Sequence, residues 1–337
     1  MPTVLDVAKR AGVAPITVSR VINNSGYISE ATRERVEAAV KELGYVPNTL
    51  ARGLRSKKTR TLALVVTDIT NPYFTLMARG VEDVAGDANY TVVYCNTDES
   101  ETKEEKYVNI LAQRQVDGVL LVPACGNLKT IKFLLSNDIN VVALDRRVSE
   151  VEIDSVRSDS EEGAYRLVKL LIELGHKQIA VITGSREVST SVDRVDGYRR
   201  ALAEAGLSEN ELVYWGEFNQ HSGYEITHQA MMGFPKPTAI FGVNNFITIG
   251  IIKALRDLRM DVPGDVSVVG FDDLPESMLL SPFLTVAAQP AYEMGRMATE
   301  LLLKRISGEL TEGHQELVLP IEIIERESTR PKRNDSS

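Results

Sequence analysis

Hydrophobic residues in the first 45 positions recur every three or four residues, which is the spacing of short amphipathic helices. The pattern predicts three helices, over about 4–11, 15–22 and 30–43, with inward positions at Val4, Val7, Ala8 and Ala11, then Val18, Val21 and Ile22, then Val36, Val40 and Leu43. Their ends carry boundary signals: a Thr3 and Asp6 capping box, Pro15 at a first helical position, Ser29 as an N-cap, and stops at Gly12 and Gly44. A short link between the first two helices predicts a helix-turn-helix, whose second helix fits the DNA major groove. Any small three-helix bundle would show the same caps and spacings.

From Thr61 onward, apolar strand-like runs alternate with helical patterns, which predicts βαβ units and parallel sheets. The predicted strands include 62–66, 91–95, 118–122, 141–144, 179–183, 239–243 and 266–270, and the predicted helices include 73–88, 104–113, 161–174 and 246–258. This pattern is too long for one sheet. We therefore expect two doubly wound lobes, divided near 159–162, with a ligand crevice outside the carboxyl ends of the strands. The segment after Ser281 should cross back to the first lobe.

The fold class is accordingly α/β: a small all-α helix-turn-helix head and a two-lobed body with doubly wound parallel sheets. The predicted boundaries are 1–47 for the head, 48–60 for a linker, 61–330 for the body and 331–337 for a disordered tail. Within the body, the first lobe takes 61–159 and the C-terminal return, and the second lobe takes about 160–285.

The composition fits a globular protein with more than one core, since 43% of the 337 residues are hydrophobic and 25% are charged. Cys95 and Cys125 have no CxxC or Cys/His partners at metal-ligand spacing, which argues against a disulfide framework and against structural zinc. The N-terminus lacks the apolar core of a signal peptide, and no apolar run approaches the length of a membrane span. We therefore expect a cytoplasmic protein.

The charge is distributed unevenly. Residues 1–60 contain 11 Lys and Arg against 5 Asp and Glu, a net charge of +6, whereas the remainder contains 27 (38 − 11) against 42 (47 − 5), a net charge of −15. A basic head on an acidic body is expected when one module binds a polyanion and the rest must avoid it.

Enzymatic motifs are missing from the sequence. No GxGxxG or P-loop pattern follows a predicted strand, the four histidines lack HExxH spacing, and no GxSxG elbow occurs. His176 lies at a helix-to-strand turn, where we expect a cap or a local hydrogen bond rather than catalysis. We predict no enzymatic activity, no cofactor and no metal.

Polar residues recur just after predicted strands: Asp68 and the run Asn71-Pro72-Tyr73-Phe74, then Asp145-Arg146, Asn244 and Asp272-Asp273. Carboxylates, amides and a guanidinium beside aromatic faces suit a sugar, because its hydroxyls form paired hydrogen bonds and its apolar face packs on an aromatic ring. Each residue alone could instead cap the following helix.

Three segments resemble the N-terminal signature of the lactose/galactose repressor family: Val4-Leu5-Asp6-Val7-Ala8 with Gly12-Val13, then 17–23 (Thr-Val-Ser-Arg-Val-Ile-Asn), then 44–48 (Gly-Tyr-Val-Pro-Asn). The resemblance implies that 14–20 form the recognition helix region, with Ala14, Pro15, Ile16 and Arg20 nearest the base edges and Thr17 and Ser19 toward the backbone. Arg20 is the strongest candidate for a bidentate contact to guanine.

The basic segment 48–58 could form about two helical turns from an Asn48 cap, too few to be stable alone. The resemblance implies paired hinge helices that enter the minor groove, with Leu54 as a wedge between central base pairs. Arg52, Arg55, Lys57 and Lys58 would then meet phosphates. The alternative is a flexible charged linker in which Leu54 has no such role.

The resemblance continues through the body, since the same family has an effector domain similar to periplasmic sugar-binding proteins. It implies effector contacts from Phe74, Asp145, Arg146, Arg194, Phe218, Asn244, Asp272 and Gln289. Asn245 departs from the family, in which an aspartate is frequent, so its role is open. The tail after Ser328 has no leucine heptad, which favours a homodimer over a tetramer.

The leading hypothesis is a homodimeric transcriptional repressor that binds a pseudo-palindromic operator and responds to a small carbohydrate in the cleft between the lobes. A carbon-control regulator with a phosphocarrier protein as partner is a variant of it. The alternatives are a sugar-binding protein without DNA function and an enzyme that uses the same cleft. The missing export signal and the basic linker oppose the first, and the missing catalytic motifs oppose the second.

Overall fold

A computed structural model describes residues 2–22, 24–46, 59–126, 128–148, 150–274 and 283–332. The chain divides into two compact units, Met1–Thr59 and Arg60–Ser337. The predicted hinge contacts of Asn48, Arg52, Leu54, Arg55, Lys57 and Lys58 lie outside the described residues.

The N-terminal unit contains the three predicted helices, α1 (Val4–Ala11), α2 (Pro15–Ile22) and α3 (Glu30–Leu43). Thr3 and Asp6 form the predicted capping box, in which the Thr3 hydroxyl accepts from the Asp6 amide and the Asp6 carboxylate accepts from the Thr3 amide. The prediction for Ser29 is wrong in detail, because its hydroxyl contacts the Thr32 hydroxyl at 2.9 Å and caps no backbone amide. Val7, Val18 and Val36, one from each helix, are fully buried at the centre of this unit.

The first lobe of the body begins with β1 (Thr61–Val66), α4 (Pro72–Asp87), β2 (Thr91–Asn96), α5 (Glu101–Gln113), β3 (Gly118–Leu121), a 3₁₀ turn (Ala124–Gly126), α6 (Leu128–Ser136), β4 (Asn140–Leu144) and β5 (Asp154–Ser158). The second lobe contains α7 (Ser160–Glu173), β6 (Ile179–Thr183), α8 (Ser189–Glu204), β7 (Leu212–Trp215), α9 (Gln220–Met232), β8 (Ala239–Gly242), α10 (Asn245–Asp257), β9 (Ser267–Phe271) and β10 (Thr285–Ala288). The chain then adds α11 (Ala291–Ser307) and β11 (Glu316–Leu319) to the first lobe and β12 (Glu322–Ile324) to the second.

Each lobe is built on one sheet of six strands within the described residues, in the orders β11-β5-β4-β3-β1-β2 and β12-β10-β9-β8-β6-β7. The strand pairs are parallel except β10 with β12. Apolar side chains pack on both faces of the first sheet, beneath α4 and α11 on one side and α5 and α6 on the other. This arrangement confirms the predicted class of two doubly wound parallel lobes.

The C-terminal strands extend the second lobe beyond the predicted limit of about 285, because β10 and β12 both belong to its sheet. Residues 331–332 of the predicted tail 331–337 are among the described residues. The Lys332 amide donates to the Leu174 carbonyl at 2.9 Å, and the rest of the tail lies outside the described residues.

His176 makes the local hydrogen bonds expected of it. Its ring nitrogens contact the Thr238 hydroxyl at 2.9 Å and the Ser267 hydroxyl at 3.0 Å, and burial lowers its pKa. The residue therefore links α7 to the second sheet.

Candidate functional site

The helix α2 presents the predicted DNA contacts on the surface of the N-terminal unit. Ala14, Pro15, Ile16 and Arg20 are exposed, and Thr17 and Ser19 are half-buried. This pattern of exposure arises because Val18 and Val21 are buried in the core of the unit and fix the rotation of α2 about its axis. Ile16 is 51% exposed, a high value for a branched apolar side chain. An apolar side chain held in solvent beside a guanidinium could contact both thymine methyl groups and guanine edges.

The body contains a cavity of about 440 Å³ between its two lobes. Its wall is formed largely by residues that follow strands, as parallel sheets require when their carboxyl ends meet at one crevice. The structure brings all eight predicted effector residues into this wall: Phe74, Asp145, Arg146, Arg194, Phe218, Asn244, Asp272 and Gln289.

A buried polar network lies at the inner end of the cavity. The Tyr73 hydroxyl donates to Asp145 Oδ1 at 2.7 Å, and Gln289 Nε2 donates to Asp272 Oδ1 at 2.5 Å. Burial raises the pKa of Asp272 to about 6, against the opposing effects of Arg194 and the Gln289 hydrogen bond. Burial and the nearby carboxylates raise the pKa of Tyr73 as well, so the phenol remains a donor at neutral pH.

Asp145 and Asp272 have φ angles of +65° and +69°, which non-glycine residues rarely adopt. Neither residue caps a helix among the described residues; each begins the turn after a buried strand. Strained backbone of this kind concentrates at ligand sites. Asp273, the neighbour of Asp272, is a structural residue instead, because its carboxylate pairs with Arg326 through contacts of 2.8 and 2.7 Å.

The two arginines of the cavity are held by fixed partners. Arg146 donates to both carboxylate oxygens of Glu99, at 2.8 and 2.5 Å, and to the Pro123 carbonyl at 2.7 Å. Arg194 donates to the Val243 carbonyl at 2.6 Å, and its guanidinium carbon lies 3.7 Å from the centroid of the Phe271 ring. Both side chains are thus oriented before any ligand arrives.

Phe218 provides an aromatic wall, and its ring lies directly over Gly184 at the end of β6. A Cβ atom on Gly184 would lie 2.5 Å from the Phe218 ring, so a larger residue there would make the ring shift from its present position. Part of the Asn244 side chain is already used, because its Oδ1 accepts from the Ile247 amide at 2.8 Å and caps α10. The prediction that such residues cap the following helix therefore holds for the amide oxygen of Asn244, a residue that also lines the cavity.

Hydrogen bonds between described residues connect the lobes across the cleft. Asn245 Nδ2 in the second lobe donates to Asn71 Oδ1 in the first at 2.8 Å. Arg147 pairs with Asp193 at 2.7 Å, and its amide donates to the Ser189 hydroxyl at 2.9 Å. Asn245, the position that departs from the resemblance, therefore belongs to the interface between the lobes.

Sequence reasoning did not select Tyr73 and Glu99 as site residues. Tyr73 lies within the run that follows β1, and Glu99 lies three residues beyond the end of β2. The rule that polar residues after strands face the crevice already included Tyr73 in the run 71–74, and it would have found Glu99 had it been applied after β2. Within the described ranges, no helix is long and apolar enough to cross a membrane.

Known proteins resemble both parts of the chain. Residues 3–48 match the model of the bacterial regulatory proteins of the lacI family, and residues 168–329 match a periplasmic binding protein-like domain. The HTH-type transcriptional repressor PurR of Aliivibrio salmonicida is 37% identical over 91% of this chain and 92% of its own length. The ribose operon repressor of Halalkalibacterium halodurans is 36% identical over 100% of both chains.

Two solved structures have similar folds. The complex of the transcriptional regulator CelR with cellobiose is 35% identical, with a TM-score of 0.74 over 98% of this chain and 100% of the other. The lac repressor dimer bound to operator and the anti-inducer ONPF is 27% identical, with a TM-score of 0.84 over 98% of this chain and 99% of the other.

Proposed function

Because the chain belongs to the lacI family of bacterial regulatory proteins, we propose that it represses transcription as a homodimer bound to a pseudo-palindromic operator and responds to a carbohydrate in the cleft. Membership makes the chain a DNA-binding transcriptional regulator with an effector-binding body. It also opposes a sugar-binding protein without DNA function, since the family match includes the helix-turn-helix.

The observation that carries the effector proposal is the convergence of eight residues from seven places in the chain, from Phe74 to Gln289, on one cavity of about 440 Å³. Carboxylates, an amide and oriented guanidinium groups stand there beside the Phe218 ring, which is the chemistry that binds hydroxyl groups on an apolar ring. The cavity binds and releases its ligand without a chemical step in this proposal.

On DNA, we assign base contacts to Ala14, Pro15, Ile16 and Arg20 and backbone contacts to Thr17 and Ser19. The hinge contacts, including the Leu54 wedge, stay predictions from the resemblance. Lobe closure around the ligand would change the spacing of the two first lobes in a dimer and thereby the fit of the hinges to the minor groove.

The test combines ligand binding with operator binding. A melting scan of the full-length protein against monosaccharides, disaccharides, sugar acids, sugar phosphates and purines should give one class of hits. At a hundredfold excess over its Kd, a ligand adds about 2.7 kcal/mol of stability. The same ligand should change operator affinity, and Asp145→Asn should abolish both effects, whereas Glu225→Gln, on the exposed face of α9, should abolish neither.

The salt dependence of operator affinity tests the DNA-binding part of the proposal separately. Operator affinity should fall steeply with salt on a log-log plot, because basic side chains release counterions from the phosphates. A flat salt dependence would remove the DNA function and leave the cleft as a ligand site only.

A further inference from the structure

We propose that the cleft selects an uncharged carbohydrate of two sugar rings over single-ring sugars, sugar acids and sugar phosphates. The inference rests on the proposed function, since it assumes that the effector is a carbohydrate. It goes beyond that function by specifying the size and the charge of the effector.

The size of the cavity exceeds the needs of one ring. A closed cavity of about 150 Å³ holds one benzene molecule, whereas this cleft, which is partly open to solvent, has a volume of about 440 Å³. A single pyranose would leave much of that space to water and would leave part of the wall without contacts. Two rings joined by a glycosidic bond fill the space better.

The wall divides into two zones by the exposure of its residues, which we name the inner and the outer zone. The inner zone consists of buried residues, among them Tyr73, Asp145 and Asp272. The outer zone is half-buried or exposed and carries Phe218, Asn219 and Glu217. One ring can therefore bind the inner polar network while the second packs beside Phe218.

The charge of the wall disfavours anions. Among the described residues that line it, six are acidic (Asp68, Asp98, Glu99, Asp145, Glu217 and Asp272), and two are basic (Arg146 and Arg194). A phosphate or carboxylate group would enter against this excess of negative charge, and like charges within a few ångströms repel more strongly as water is excluded.

The two arginines do not reverse this balance. Arg146 already holds the Glu99 carboxylate in a bidentate pair, and Arg194 stacks on Phe271 and binds the Val243 carbonyl. Each keeps one buried Nε with no hydrogen-bond partner in the described part of the chain. Three of the five N–H groups of Arg146 are already used in these contacts, so it has few donors left for a phosphate, which requires several.

The first experiment is calorimetric titration of the full-length protein with matched ligands: cellobiose, maltose, lactose, trehalose and sucrose; glucose and ribose; cellobionic acid, gluconate and glucose 6-phosphate; and adenine. We expect one neutral disaccharide to bind at least about tenfold more tightly than any single-ring or anionic compound, a difference of about 1.4 kcal/mol.

The other outcomes separate this inference from the proposed function. Tightest binding by glucose or ribose overturns the size argument, and tightest binding by an acid or phosphate overturns the charge argument; both leave a carbohydrate effector in place. Tightest binding by adenine, or no binding by any compound, overturns the inference together with the carbohydrate part of the proposed function.

Charge substitutions test the electrostatic argument directly. Glu217→Lys places a cation at the outer zone, and Glu225→Lys makes the same change on α9 away from the cavity. At low ionic strength we expect Glu217→Lys to improve binding of cellobionic acid relative to cellobiose by about fivefold, with no change in that ratio for Glu225→Lys. Equal ratios in the two variants would overturn the role of the wall charge.

Discussion

At the scale of single residues, Arg20 is the side chain on which sequence discrimination should depend. It lies on the exposed face of α2, one turn from Ile16, while Val18 and Val21 hold the helix in the core. Arg20→Ala should weaken operator binding by about 1–3 kcal/mol and relax the preference at one base pair in each half-site. Selection of binding sites from a random DNA pool measures both effects. Equal weakening on all sequences would make Arg20 a phosphate contact.

A second residue-scale prediction concerns Glu104, a fully buried carboxyl group that accepts from the Ala124 amide at 2.5 Å and from the Thr130 hydroxyl. Burial raises its pKa from 4.5 to about 7. The folded state therefore holds this proton more tightly than the unfolded state, so the free energy of unfolding should fall as pH rises from about 4.5 to about 7, by up to about 3 kcal/mol.

Glu104→Gln, which does not titrate, should remove most of that decline. Urea unfolding at about pH 5 and about pH 8 measures the difference between the two proteins. Asp272, whose pKa is raised to about 6, shifts in the same direction and should leave a smaller decline in the variant. An unchanged pH dependence in Glu104→Gln would show that Glu104 ionises normally.

At the scale of elements, the close crossing of α4 and α11 depends on two glycines. A Cβ atom on Gly80 would lie 2.1 Å from the Tyr292 carbonyl oxygen, and one on Gly295 would lie 2.1 Å from that of Met77. Gly80→Ala should push the helices apart and destabilise the body by about 1–3 kcal/mol. Gly86→Ala on the same helix, with open space around it, should be neutral or stabilising by up to about 1 kcal/mol. Chemical denaturation of both variants tests the crossing, and equal stabilities would contradict it.

The strands also show which elements can be predicted from the sequence pattern and which cannot. Strands buried on both faces, such as β1 and β6, are continuous apolar runs and were predictable from that pattern. β5 was not, because its sequence is Asp-Ser-Val-Arg-Ser, and its Asp154 is compensated by Arg305, 151 positions away. The hydrogen bond between Asn71 and Asn245 could not be predicted in the same way, since Asn71 reads as a helix cap and Asn245 as the residue after a cap until folding brings the two lobes together. The positions of the site residues after strand ends can therefore be predicted from the sequence. Their hydrogen-bond partners cannot, because tertiary packing determines them.

At the scale of the whole molecule, the charge distribution indicates which part of the chain binds DNA. Residues 1–60, the head and the linker together, carry the net charge of +6 and can release counterions from DNA, whereas the acidic body repels DNA. DNA should therefore bind through residues 1–60 and not through the body. Asn245→Asp would replace the donor to Asn71 by a carboxylate and weaken one of the contacts between the lobes, and we expect the ligand response to change while operator binding without ligand is retained.

Coupling between the two sites must also be reciprocal. If the effector lowers operator affinity by a given factor, saturation with operator lowers effector affinity by the same factor, because both measure one coupling free energy. Such factors are typically about 5 to 150. Titrating the full-length protein with effector, with and without operator DNA, gives one value; titrating operator DNA with and without effector gives the other.

A matched experiment with Arg20→Ala should show weaker DNA binding and an unchanged intrinsic effector affinity. Equal factors would establish the linkage, and an effector affinity that operator DNA leaves unchanged would show that the cleft does not control DNA binding.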